Sequence, residues 1–341
     1  MQSLQSNALE PTKSELKGLS FWEKFIRQLP VYGLPILTLA LIVLFSILLP
    51  DTFPTALNAR SILSDKAIIV MLSLAAMLPM MAGRIDLTVG YGIVLWHILA
   101  ISLQTDYGMN WLAACALVIV AGACVGLLNG LLVEIAQIDS FIASLGTGTI
   151  LYALALWYTG GQQVMGNLPQ AFLNLNGLSI FGIPITAFYV LGLAVLLWIV
   201  TERLPIGRYL YAIGANPRAA ALNGIRVRFY VIGVFVASGV ITAFAGTVLA
   251  SKLQIGQATV GLEYLLPALV GAFLGSTTIR PGRVNVLGTI FGVLILAVGI
   301  SGIQQLGGAF YIEPLFNGVT LIIAIGIAGY TQRRRLTAKR N

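Results

Sequence analysis

Apolar positions in this chain run in long blocks instead of recurring at the three-and-four spacing of a soluble amphipathic helix. Several blocks approach the roughly 20 residues that cross a hydrocarbon core as a helix. Inside lipid a segment must satisfy its own backbone hydrogen bonds, so blocks of this kind predict helices. The expected spans lie near 31–50, 66–83, 86–103, 111–134, 140–158, 183–200, 229–250, 263–278, 285–303 and 312–330. On either side of Arg84 and Asp86 the blocks are short and read as two spans or as one broken element. The pattern predicts an all-α polytopic membrane protein of ten transmembrane helices forming a single domain over 31–330.

The flanks differ in character. Residues 1–30 are mostly polar, and within them Trp22, Phe25, Ile26 and Leu29 follow helical spacing. Ser20 and Glu23 make a capping-box pattern ahead of them, which predicts a short amphipathic helix on the membrane surface. The first apolar block ends at Pro50-Asp51 without a small-residue cleavage pattern, so it is expected to be a retained span and not a signal peptide. Residues 331–341 form a basic tail.

Composition sharpens this picture. The 341 residues are 58% hydrophobic and 9% charged, against about a quarter charged in soluble domains. Cys115 and Cys124 sit within one apolar block as small packing residues, and the single histidine, His97, rules out a multi-histidine metal site. With the N-terminus in the cytoplasm and ten spans, only Arg60, Lys66 and Lys252 of the twenty Lys and Arg residues fall outside. That asymmetry predicts both termini inside. The net charge of +8 then points to the anionic inner leaflet and not to nucleic acid.

The segment 201–228 is the longest basic connection. Asn216 suits a helix N-cap, Pro217 the first helical position and Gly224 the residue past the end, so a two-turn helix is expected there. A helix that short is marginal alone, so it packs on its own spans or on a docking partner. Gly83-Arg84-Ile85-Asp86-Leu87 and Gly282-Arg283-Val284-Asn285-Val286 echo each other at two turns that each start a span. Repeated halves are common in transporters, and chance similarity is the other reading.

These residues carry a resemblance. Arg218-Ala-Ala-x-x-x-Gly224 keeps the Ala-Ala-x-x-x-Gly part of the cytoplasmic loop pattern of ABC-importer permeases, with Arg where that pattern has Glu. Gly207-Arg-Tyr-Leu-Tyr-Ala-Ile-Gly214, followed by Asn216-Pro and Gly224-Ile-x-Val227, is similar to permeases of the ribose/xylose/arabinose-type monosaccharide transporters. Ile85-Asp-Leu-Thr-Val-Gly90, Gly126-Leu-Leu-Asn-Gly-Leu-Leu-Val133, Phe141-Ile-Ala-Ser-Leu-Gly-Thr147 and Leu274-Gly-Ser to Gly288-Thr resemble further segments of that family, in order. Departures are Asp139 in place of proline, Ser276 and Arg280-Pro281 at glycine-rich positions, and Arg84 in place of a small residue.

The resemblance implies a permease subunit of a binding-protein-dependent importer in the bacterial inner membrane, carrying a monosaccharide or similar neutral polyhydroxylated solute. It also implies three kinds of partner. These are a cytoplasmic ABC ATPase that binds ATP-Mg, a periplasmic or extracellular solute-binding protein, and a second permease, identical or related. The chain lacks a Gly-x-x-x-x-Gly-Lys-Ser/Thr phosphate loop, so ATP hydrolysis is assigned to another polypeptide, and no cofactor is expected in this chain. Asn216, Pro217, Arg218, Ala219, Ala220 and Gly224 are the candidate ATPase-coupling residues.

Four residues are candidates for the translocation pathway. Asp86 lies among Pro79, Gly83, Gly90 and Gly92, which suggests an interrupted helix with a carboxylate facing water, or a structural pair with Arg84. His97 either binds solute or holds a backbone carbonyl. Asn129, between Gly126 and Gly130, serves close helix packing or solute contact. Trp157, with Tyr158, borders an uncharged outer loop from Thr159 to Gly182 that carries Gln162, Gln163, Asn167, Asn174 and Asn176. That loop suits a sugar, a docking surface for the binding protein, or simple solvation. Glu134, Glu263 and Glu313 are expected at span ends. An ion-coupled secondary transporter, using Asp86 and His97, is the rival mechanism. An intramembrane enzyme lacks the paired acids or His-Glu-x-x-His it would need.

Overall fold

The computed structural model describes residues 21–309, 311–323 and 326, with side chains from residue 32 onward. The amphipathic face expected over 19–29 and the basic tail therefore lie outside the described side chains. Helix α1 runs without interruption from Phe21 to Leu48, joining the surface helix and first span that the sequence separates. It is followed by α2 (Ala56–Asp65), α3 (Ala67–Met81), α4 (Thr88–Thr105), α5 (Trp111–Glu134) and α6 (Ser140–Thr159). Next come a short α7 (Gln170–Gly177) and a two-residue hairpin, β1 (Ser179–Ile180) with β2 (Ile183–Pro184). Then follow α8 (Ile185–Trp198), α9 (Pro205–Ala215), α10 (Pro217–Leu222), α11 (Val227–Leu253), α12 (Leu265–Leu274), α13 (Val286–Gln305) and α14 (Ile312–Ile323).

Each of the ten expected apolar blocks carries a helix. Among the described residues six of these helices are long and apolar enough to cross a membrane, or seven when α2 and α3, bent by 40° at Lys66, count as one. The rest fall short because α12 has ten residues, and the described apolar stretches of α1 and α14 are also brief. The protein is an all-α, multi-pass membrane protein.

Local chemistry sets the helix starts. Asp139, where the resembled family has proline, caps α6 by accepting from the Phe141 and Ile142 N–H groups at 3.0 and 3.3 Å. Asn110 caps α5 through Leu112 N, and Thr55 caps α2 through Asn58 N.

In packing, α3, α4, α11 and α13 form the interior, whereas α5, α6 and α8 keep broad apolar faces exposed, as lipid-facing helices do. α11 is the central element and packs on α3, α4 and α5. Its contact with α5 is made of backbone: Gly122, Gly126 and Gly130 meet Gly239, Phe235 and Ile232 so closely that a Cβ at any of the three would collide. This is the small-residue crossing expected around Asn129.

The charged residues separate into two ends. At one, Arg84 pairs with Glu134 at 3.0 Å and Arg280 with Glu202, while the Arg203 and Arg283 guanidiniums lie over Trp198 and Tyr211. At the other, Lys66 pairs with Glu313 at 3.1 Å and Lys252 with Asp65 at 2.7 Å.

Candidate functional site

Between α3 and α4 the chain leaves the helical conformation from Ala82 to Asp86, and the turn into this break needs glycine because Gly83 has φ +73°. Unpaired backbone groups at such a break must find partners. The first turns of α6 provide them. Ser140 Oγ accepts from the Ile85 N–H at 3.1 Å, and Ser144 Oγ donates to the Ile85 carbonyl at 3.3 Å. Asp86 follows, 1% exposed. Its Oδ1 accepts from the Thr88 N–H at 2.9 Å and from the Thr88 hydroxyl, and its Oδ2 accepts from Ser238 Oγ on α11 at 2.8 Å. The carboxyl group thus has three donors and leaves neither oxygen without a partner.

The network continues outward. Asn129 Nδ2 reaches Thr88 Oγ1 at 3.4 Å, and Asn129 Oδ1 accepts from Thr147 Oγ1 at 2.6 Å. Two of the four pathway candidates, Asp86 and Asn129, are therefore joined through Thr88. The Asp86–Arg84 pair considered from sequence does not form, because Arg84 extends to the buried Glu134 while Asp86 faces α11.

His97 lies elsewhere, fully buried on α4. Its Nδ1 faces the Ile93 carbonyl at 2.9 Å and its Nε2 accepts from the Gln257 N–H at 3.1 Å. With both nitrogens engaged in this way, Nδ1 carries the proton and the ring staples α4 to the segment after α11. Trp157 is 79% exposed near the end of α6 and meets none of the other pathway candidates. Neighbouring Tyr158 instead turns inward and donates to Ser102 Oγ at 3.0 Å. The outer loop is folded, not open. It contains α7 and the hairpin, and Val164 bridges to Gly256. Gln163 donates to Gln257 Oε1 at 3.0 Å, and the Asn176 N–H donates to Ser251 Oγ at 3.1 Å. Gln162 and Asn167 stay exposed.

At the basic end, α9 and α10 form a hairpin beyond α8. Asn216 caps α10 by accepting from the Ala219 N–H at 3.1 Å, and Gly224 ends it with φ +79°. Ala220 is buried against the protein, while Pro217, Arg218 and Ala219 are exposed and Leu222 is 89% exposed. Helix α9 buries Gly207, Leu210 and Ile213 beneath them. Gly214 sits directly on the turn after α3, its Cα 3.4 Å from where a Gly83 Cβ would lie. Tyr211 donates from its hydroxyl to the Val284 carbonyl at 2.9 Å. Burial, helped by Glu202, pushes that phenol up to about 12, so it remains a donor at neutral pH.

The second echo motif is built like the first. Gly282 has φ +83°, and Asn285 Oδ1 caps α13 by accepting from the Gly288 N–H at 2.8 Å. Asn285 Nδ2 donates to the carbonyls of Gly275, Thr278 and Arg283 at 2.8, 3.0 and 3.1 Å. Sequence reasoning missed Ser238, Thr147 and Tyr211. Thr88, two residues after Asp86, carried a local signal as a side-chain turn, whereas Ser238 is 152 positions away and had none.

Residues 58–328 match the family model described as branched-chain amino acid transport system / permease component. The ribose import permease of Bacillus subtilis is 32% identical over 85% of this chain and 90% of its own length. The D-allose transport system permease of Escherichia coli is 28% identical over 90% and 92%. The fructose import permease of Rhizobium meliloti is 29% identical over 89% and 87%. No solved structure matches the chain.

Proposed function

This chain belongs to the transport-system permease family whose model spans residues 58–328, and on that premise we propose that it is the membrane subunit of an ATP-driven, binding-protein-dependent importer in a bacterial inner membrane. The solute is a monosaccharide or a similar small neutral polyhydroxylated molecule. That reading draws on the similarity to ribose, D-allose and fructose permeases and on the uncharged amides of the outer loop. The chain crosses the bilayer ten times, with both termini on the side of the α9–α10 hairpin.

The observation that carries the proposal is α10 itself. It is a short helix capped by Asn216, seated by Ala220, and presenting Arg218 and Leu222 to solvent at the basic end. A helix that short is marginal by itself, and we read its exposed face as the docking element for the ATPase. ATP-Mg is bound by the partner ATPase, a binding protein delivers the solute, and a second permease, identical or related, completes the pathway. An ion-coupled carrier would use Asp86 and His97, yet both spend their polar atoms on internal hydrogen bonds, so the geometry gives that reading no support.

The test is purification of the tagged full chain in mild detergent. The expected result is recovery of a polypeptide carrying a phosphate loop, with ATPase activity stimulated by the solute-binding protein. A chain recovered without ATPase, together with uptake that follows an ion gradient, overturns the proposal.

A further inference from the structure

The two echo motifs touch the same helix. α9 meets the first where Gly214 lies on the Met81–Gly83 turn, and a Cβ at Gly214 would run into the Met81 carbonyl oxygen. It meets the second where the Tyr211 hydroxyl donates to the Val284 carbonyl. Tyr211 and Gly214 are three residues apart, so they share one face of α9. Beyond each contact comes the side chain that starts the next interior helix: Asp86, three residues after Gly83, for α4, and Asn285, one residue after Val284, for α13. Each motif also carries a left-handed glycine, at Gly83 and Gly282. The contacts differ in chemistry and in motif position, the first at Gly83 and the second at Val284, but both lie just ahead of a helix start.

We propose that α9 acts as a yoke, carrying the motion of the docking hairpin to both helix breaks at once, with Gly214 and Tyr211 as the positioning residues. The inference rests on the permease reading and deepens it by naming the route between the docking surface and the pathway. A close backbone contact at Gly214 transmits displacement because nothing compressible lies between the chains. The Tyr211 bond resists separation of α9 from the 282–285 turn. Arg283, over the Tyr211 ring at 5.4 Å, and the Arg280–Glu202 pair brace that second contact. A displacement of α10 therefore reaches α4 through Gly83 and α13 through Val284, and the two interior helices move together.

The experiment is hydrogen exchange on the full chain in complex with its ATPase, with and without Mg-ATP and orthovanadate. In the wild type the amides of Ile85–Thr88 and of Val284–Gly288 are expected to change exchange together on trapping. Tyr211→Phe keeps the ring and loses the donor. It is expected to cut the change at Val284–Gly288 by about fivefold, the worth of one hydrogen bond, and to spare Ile85–Thr88. Gly214→Ala is expected to do the reverse, and if it does not fold, Tyr211→Phe decides alone. Equal effects on both segments, no effect on either, or loss of ATPase association in Tyr211→Phe overturns the yoke while the permease reading stands. Failure of the wild-type chain to retain any ATPase overturns that reading, and the yoke with it.

Discussion

The breaks at Asp86 and Asn285 solve one problem with opposite chemistry. Both occupy the fourth position of the echo and both start an interior helix. At the first, the surroundings offer donors, and a carboxylate collects the Thr88 N–H, the Thr88 hydroxyl and the Ser238 hydroxyl. At the second, the surroundings offer carbonyls, and the amide of Asn285 serves three of them while its oxygen caps α13. A carboxylate can only accept, whereas an amide does both. The choice of residue is thus dictated by which backbone and side-chain groups the break leaves unsatisfied, and the motif position is constant while its chemistry is not.

Reciprocal exchange breaks this comparison most sharply. Asn285→Asp sets a carboxylate against the Gly275, Thr278 and Arg283 carbonyls. It is expected to be the most damaging change, lowering stability by about 3 kcal/mol, read as thermal unfolding in detergent. The opposite swap, Asp86→Asn, keeps an acceptor for the Thr88 N–H, and the Ser238 hydroxyl can rotate to accept from the new amide. About 1 kcal/mol is expected to be lost. Equal losses in the two exchanges would show that position, and not donor–acceptor balance, governs the breaks. A smaller test sharpens the first site alone. Ser238→Ala removes one of three donors to Asp86, and its cost is expected to be at or below about 1 kcal/mol, with Asp86→Asn adding little on top because the two act through one contact.

How far these features could be read from the sequence follows from the range of the forces involved. The apolar blocks, the Asn216 cap and the Gly224 terminus depend on neighbours within a turn or two and were legible, as was the small-residue spacing around Asn129, though not the helix that packs on it. The echo motifs were visible, but that a single helix touches both was not, because Tyr211 reaches a backbone carbonyl that any residue would offer. The partnership of Asp86 with Ser238 joins distant helices through a hydroxyl with many possible uses, and no local pattern points to it. Arg84 misled for a related reason. Proximity in sequence suggested Asp86, yet Arg84 reaches the buried Glu134 at the end of α5 while the Asp86 carboxyl group is taken up by Thr88 and Ser238. The polarity pattern divides the run from Phe21 to Leu48, while the helical backbone continues through Pro30 and Pro35.

The glycine seam between α5 and α11 has a consequence for how strain travels. Where two helices meet through side chains, rotamer changes absorb small shifts, and the joint behaves as a cushion. Where carbonyls rest on α-carbons, as at Gly122 and Gly126, that compliance is gone and the two helices form a welded beam. Asn129 stands on one flange of the beam and Ser238 on the other, and they hold opposite ends of the Thr88–Asp86 pair. The spacing of those anchors, and with it the seat of the first turn of α4, is therefore set by the beam.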